Sequence, residues 1–317
     1  MDQGILVASD KNGEWLLDWW WNNYSRENSY PVAFIDFGMS NEKLKWCSER
    51  GQTIEFPFTL KTTENKEFLE KAKAQYGNEI HAARNCWFKK PLALTLTPFK
   101  QTIWLDTDCE VLGSLSKLFN YKGLALAKTG IGSDEYNSGV VIYEKNSPII
   151  QKWADNAVSN NANYIGDQDL FSHMVFNEQL KVTDLPFEYN WNISNGINEN
   201  ALIIHWSSTW GKTYIKKHGG IYKTLQNLTT IGKAWSMRQG TYCFQEESIS
   251  LLESNGKFTL TFHFEKSWIK KNAAYNLTPL SNTIALIKLE QNALTFLQFD
   301  LNNSALLFDK TFLKMNE

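Results

Sequence analysis

Nothing in this sequence approaches the roughly 18 consecutive apolar residues that a bilayer-spanning helix needs, which excludes an integral membrane segment. An excess of either charge is missing too. The 34 Asp and Glu against 32 Lys and Arg leave a formal net charge of -2, with no footprint for nucleic acid and no polybasic run for a membrane surface. The opening MDQGILVASD has neither a basic start nor a long apolar stretch, so no signal peptide is expected. The four cysteines (Cys47, Cys86, Cys109 and Cys243) show no paired spacing, which fits buried thiols and a cytoplasmic protein. No repeat of fixed period and no long low-complexity tract is present.

What remains is a chain of 317 residues, 43% hydrophobic and 21% charged, enough for a large α/β core and a smaller module. Its 13 tryptophans are many. Tryptophan fills cores and also stacks on sugars and bases, so the count permits a ligand role without requiring one.

The most informative stretch is TIWLDTDCE, Thr102 to Glu110. Thr102–Leu105 is an apolar, β-prone run with the texture of a buried parallel strand. It ends in Asp106 and Asp108, flanking Thr107. Carboxylates just past the carboxyl end of such a strand stand where open α/β sheets bind ligands, and two of them can reach one hard divalent cation. Asp is also common in turns, but a turn needs no second acid.

Around it the chain alternates strands and helices. Strands are expected at 4–9, 31–37, 52–56, 123–128, 140–143 and 202–205, and helices at 14–24, 41–50, 64–76, 148–159 and 170–176. That rhythm predicts a parallel, doubly wound sheet. The tryptophans from Trp19 to Trp21 read as helix packing. Lys89 and Lys90 read, from composition alone, as a solvated face. Asn137, Ser138 and Gly139 stand at the start of a strong strand, as a ligand approach or as an ordinary turn. Asp167 either caps the helix after it or joins Gln168 in a clamp for a polyol. His205 ends an apolar strand, and in a chain with two candidate metal carboxylates it is a candidate ligand. From about residue 235 the texture changes to short alternating runs between polar turns, such as KFTLTFHF and ALTFLQFD. This predicts a separate antiparallel β module, read as a small sandwich.

Taken in order, VASD, WFKKP, WLDTD, YNSGV, GDQDLF, FEYNWN and IIHW with a following Gly–Lys resemble the GT-A-fold glycosyltransferases of the family 8 type, retaining nucleotide-sugar transferases. The likeness spans about residues 1–215 and implies an α/β GT-A domain at 1–234, followed by a β-rich accessory module at 235–317. By position, it implies that Asp106, Asp108 and His205 hold Mn²⁺ or Mg²⁺. Ala8, Ser9, Asp10 and Thr107 would hold the nucleotide of a UDP-sugar, with Lys89, Asn137 and Gly139 near its sugar and phosphate. Asp167 and Gln168 would face the reacting carbon, and Lys212 would meet the diphosphate. Gly211 and Lys212 are adjacent here, where the family spaces them within HxxGxxK. The acceptor implied is an unidentified glycan, lipid, protein or small molecule.

Two further readings compete. A haloacid dehalogenase-type phosphohydrolase also uses DxD, but on an early strand and without the Cys109 and Glu110 that follow here. A non-catalytic carbohydrate-binding or scaffolding protein on a transferase fold is the alternative from another class.

Overall fold

The computed structural model describes residues 2–62, 80–130, 132–193, 200–207, 211–212, 215–216 and 219–220, together with the backbone of eight strands between 240 and 315. The helix expected at 64–76 falls outside the described residues. The chain divides into two compact units, Met1–Trp191 with Asn200–Trp206, and Asn192–Glu199 with Ser207–Glu317. No helix among the described residues is long and apolar enough to cross a membrane.

In the first unit, β1 (Gln3–Ser9), β2 (Val32–Asp36), β3 (Gln52–Glu55), β4 (Gln101–Leu105), β6 (Ala125–Lys128), β7 (Tyr136–Glu144) and β8 (Thr183–Asp184) form one sheet in the order β3-β2-β1-β4-β7-β6-β8. Strands β3, β2, β1 and β4 are parallel, as expected. β7 runs antiparallel to both β4 and β6, so the sheet is mixed rather than wholly parallel. A strand buried on both faces is apolar throughout whatever its direction, and its run of residues therefore carries no sign of the reversal. A separate three-stranded sheet joins β5 (Cys109–Val111), β10 (Ile203–His205) and β9 (Trp191–Asn192).

Alternation along the strands builds two cores. Ile5, Val7, Phe34, Ile103 and Leu105 pack on one face under α1 (Leu16–Tyr24), where Trp20 is fully buried and stacks on Tyr24 with ring centroids 5.1 Å apart. The packing reading of the tryptophan run holds there. Leu6, Ala33, Ile35, Trp104 and Val141 face the other way. Against them pack α3 (Ile80–Thr95), α4 (Pro148–Ser159) and α5 (Asp167–Glu178), through Phe88, Trp153, Leu170 and Phe171. The remaining helix, α2 (Asn41–Ser48), starts at Ser40, whose hydroxyl accepts the Lys43 N–H.

Three local expectations are corrected. Asn137, Ser138 and Gly139 lie inside β7, not in an ordinary turn, because the ladder with β6 resumes past a bulge at Asn137 and the Gly139 carbonyl takes the Asp106 N–H. Asp167 is the first residue of α5 rather than its cap. Gly166 is the cap, and the Asp169 carboxylate accepts the Gly166 N–H at 3.1 Å. In the second unit the β module is a closed eight-stranded barrel, not a sandwich. Its strands, β11 (Gly240–Phe244), β12 (Glu247–Ser254), β13 (Lys257–His263), β14 (Ala274–Pro279), β15 (Ile284–Lys288), β16 (Leu294–Asp300), β17 (Ala305–Phe308) and β18 (Thr311–Met315), pair in sequence order, and β18 closes onto β11. Closure removes the edges that a two-sheet sandwich leaves exposed.

Candidate active site

Because β1 and β4 are parallel neighbours, their carboxyl ends place Ala8–Asp10 and Asp106–Asp108 on one rim of the sheet. The antiparallel β7 brings its amino end to that rim, where the Asp106 N–H bonds the Gly139 carbonyl at 2.9 Å. Pairing of β5 with β10 sets His205 opposite Cys109, and the Trp206 N–H bonds the Asp108 carbonyl. Backbone ladders thus deliver Asp106, Asp108, Asn137, Gly139 and His205 to one place.

His205 Nε2 lies 3.3 Å from Asp108 Oδ1 and 3.8 Å from Asp106 Oδ2. His205 Nδ1 lies 2.9 Å from Asn137 Oδ1. That Asn137 atom also receives the Gly139 N–H at 2.9 Å and the Asn190 amide at 2.9 Å. A backbone N–H can only donate, so the atom is the oxygen, and it accepts from a protonated Nδ1. With Nδ1 spent on Asn137, Nε2 is the ring nitrogen that faces the two carboxylates. When that nitrogen carries no proton, it is an acceptor set against acceptors, and a cation joining them relieves the conflict. Octahedral ligands 2.0–2.1 Å from an ion stand about 3 Å apart, so the donor set fits a divalent cation.

Cys109 also comes near, with its ligand atom and those of Asp108 and His205 all within 4.8 Å of one another. Its thiol is fully buried and pushed well above the ordinary range by burial and by the Asp108 and Asp106 carboxylates, and it lies 3.6 Å from the Gly139 carbonyl. A neutral thiol is a poor partner for a hard cation, which favours Asp106 as the third ligand. Both oxygens of Asp106 are already oriented, Oδ1 by the Trp104 indole N–H at 2.7 Å and Oδ2 by Lys90 at 2.9 Å.

Lys90 is the residue that sequence reading missed. Its ammonium is buried and donates to Asp106 Oδ2 and to the Ser138 carbonyl and hydroxyl, and it stands 3.6 Å from Asp167 Oδ2. Burial pulls the ammonium down, but Asp106 and Asp167 outweigh burial and hold it above the usual lysine range. A signal for it existed. Lys90 precedes the apolar run Pro91, Leu92, Ala93 and Leu94, all buried, and a lysine leading into such a run is placed to be drawn into the core.

Asp167, itself buried, accepts the Ser138 hydroxyl at 2.8 Å. Burial pushes its carboxyl above the ordinary range, and Lys90 draws it only part of the way back. Gln168 joins through its Oε1, 3.4 Å from the Ser138 N–H. Three acids, Asp106, Asp108 and Asp167, thus surround one ammonium.

Gly139 is required by its neighbour. A Cβ there would stand 2.3 Å from His205 Cε1 and 2.4 Å from Nδ1. Thr107 lies half-buried in the turn between the acids. Asp10 is held apart from the cluster, with Oδ1 on the Gly13 N–H at 2.8 Å and Oδ2 3.2 Å from the Cys86 thiol. Ser9 turns its hydroxyl to the Asp10 carbonyl. Lys89 points away from the acids, to the Phe37 carbonyl at 3.3 Å and over the Phe37 and Phe56 rings. Lys212 belongs to the second unit.

No protein-family model matches the chain. A stretch of 108 residues, 33% of the chain, is 30% identical to glycogenin-1 of Caenorhabditis elegans. The mixed α/β sheet of the first unit is a GT-A-like fold. The chain spans about a quarter of that glycogenin, 24% of its length. Among solved structures, the chain is similar to the glycosyltransferase GlyE of Streptococcus pneumoniae TIGR4, at 19% identity over 66% of this chain and 55% of that one, with a TM-score of 0.48. The galactosyltransferase LgtC, in complex with donor and acceptor sugar analogues, is similar at 14% identity over 68% and 94%, with a TM-score of 0.41.

Proposed function

We propose that the chain is a glycosyltransferase that moves a hexose from a nucleoside-diphosphate sugar, UDP-linked, to an acceptor, with Asp106, Asp108 and His205 holding Mn²⁺ or Mg²⁺ on the diphosphate. The observation that carries the reading is the His205 ring, with Nδ1 spent on Asn137 and Nε2 set against two carboxylates. The 30% identity to a glycogenin over part of the chain supports it.

The chemistry follows from the charges. Transfer breaks the bond between the anomeric carbon and a phosphate oxygen, which leaves negative charge on the diphosphate and an electron-poor carbon. A divalent cation bound there supplies charge for the leaving group. Lys90 keeps Asp106 and Asp167 in place against their mutual repulsion. Asp167, tethered by the Ser138 hydroxyl, and Gln168 are the groups for the reacting carbon and the sugar hydroxyls. Retention at that carbon is part of the proposal. Ala8, Ser9, Asp10 and Thr107 take the nucleotide, Lys89, Asn137 and Gly139 stand near sugar and phosphate, and Lys212 meets the diphosphate. The acceptor is a glycan, lipid, protein or small molecule, with residues 235–317 as an accessory module. Cys47, Cys86 and Cys109, free of disulfides among the described residues, suit a cytoplasmic enzyme.

The test is calorimetric titration with UDP, with and without Mn²⁺, beside an assay of UDP release from UDP-glucose and UDP-galactose. Expected is Mn²⁺-dependent UDP binding that disappears in the Asp106→Asn, Asp108→Asn double variant while its melting transition persists. Unchanged binding or turnover in that variant refutes the cation site. Sugar binding that needs neither nucleotide nor metal overturns the transferase reading altogether.

A further inference from the structure

We infer that Asn137 is a positioning residue for the metal ligand His205, fixing its tautomer through a relay that begins at Asn190. This rests on the proposed cation site and assigns Asn137 a task distinct from touching the donor sugar.

The relay is fully buried. Asn190 is 1% exposed, Asn137 3% and His205 5%. The Asn190 amide donates to Asn137 twice, to the side-chain oxygen at 2.9 Å and to the main-chain carbonyl at 3.2 Å. Both acceptors are oxygens, so the Asn190 amide cannot turn over without setting oxygen against oxygen. It keeps this orientation although its own Oδ1 is buried with no hydrogen-bond partner among the described residues. A buried acceptor left in that state is unfavourable, which marks the two donated bonds as the reason for the arrangement. Asn137 Oδ1 is further pinned by the Gly139 N–H, and the contact it then offers outward is the one to His205 Nδ1.

Imidazole binds a cation through an unprotonated nitrogen, and a hydrogen bond accepted from the other nitrogen decides which one that is. Here an amide oxygen accepts from Nδ1 and leaves Nε2 to the side of Asp106 and Asp108. Gly139 belongs to the same device, since its lack of a side chain is what admits the ring.

The test compares the full chain with Asn137→Leu, which fills the space without an acceptor, and Asn137→Asp, which restores one. Mn²⁺ affinity is read by electron paramagnetic resonance in the absence of nucleotide, and the His205 ring nitrogens by ¹⁵N NMR with Mg²⁺ present. Asn137→Leu is expected to bind Mn²⁺ about 10- to 100-fold more weakly, and Asn137→Asp to bind at least as tightly as the parent. Wild-type affinity in a folded Asn137→Leu overturns the inference while the cation site stands. If Asn137→Leu does not fold, the unaltered chain decides: a proton on Nδ1 with Mg²⁺ bound supports the relay, and a proton on Nε2 overturns it. A parent protein that binds no Mn²⁺ overturns the cation site and the relay together.

Discussion

Replacing Gly139 with alanine adds one methyl group at a point where the structure leaves none. The new Cβ would stand 2.3 Å from His205 Cε1, 2.4 Å from Nδ1 and 3.0 Å from Asn137 Oδ1, where ordinary contact begins at 3.4 Å. To go from 2.3 Å to 3.4 Å, the ring must retreat by about 1.1 Å. Metal–ligand distances tolerate about 0.2 Å, so His205 leaves coordinating position and its 2.9 Å bond to Asn137 breaks. Overpacking of this kind destabilises by about 1–3 kcal/mol, and losing the imidazole as an oriented ligand should weaken Mn²⁺ binding by about 10-fold or more. Gly139 lies within a strand and is not among the glycines with positive φ, so alanine meets no backbone strain and the effect isolates the ring. The assay is Mn²⁺ titration with thermal unfolding, repeated in a His205→Ala background. There only the 3.0 Å approach to Asn137 Oδ1 remains, and the second substitution should cost clearly less. Equal Mn²⁺ affinity for Gly139→Ala and the parent would refute the reasoning, as would an undiminished penalty once His205 is gone.

Two further outcomes follow. Lys90→Met keeps the apolar stem but leaves Asp106 and Asp167 without their shared ammonium, and should lower stability by about 3–5 kcal/mol at neutral pH. Urea denaturation checks this, and an unmoved midpoint would contradict it. Asp169 is pushed from the ordinary 3.8 up to about 6, chiefly by burial. A carboxyl raised on folding gives stability that is complete below 3.8 and lost as pH rises through about 6. Asp169→Asn keeps an oxygen for the Gly166 N–H and should leave the protein unchanged near pH 4. Above pH 6 it should be more stable by at most about 3 kcal/mol. Melting temperatures for both proteins across that interval test it, and parallel curves would count against the burial argument.

Much of this was open to inspection in the chain itself. Strand β4 ending in paired acids, the helix at Pro148–Ser159, and His205 closing an apolar strand follow from local pattern, because period, capping and a polar stop are local properties. What escaped depends on residues distant in sequence. The direction of β7 is set by which strands it joins. Lys90 takes its meaning from Asp106 and Asp167, which reach it across the fold. Gly139 reads as room for a ligand until His205 is seen filling it. Asn190 has no pattern of its own and becomes visible only through Asn137.

The barrel of the second unit has a consequence for how the chain acquires its shape. Each strand from β11 to β18 pairs with its neighbour in sequence across no more than ten intervening residues, and the β11–β18 seam, Tyr242 opposite Met315, joins the distant ends. Local pairings form early because little chain freedom is lost in making them, while closing a long loop grows slowly more expensive with its length. The seam is therefore the last pairing to form and the first to part. Until β18 pairs with β11, the module is a curled sheet with two open edges, each a template for pairing with another strand.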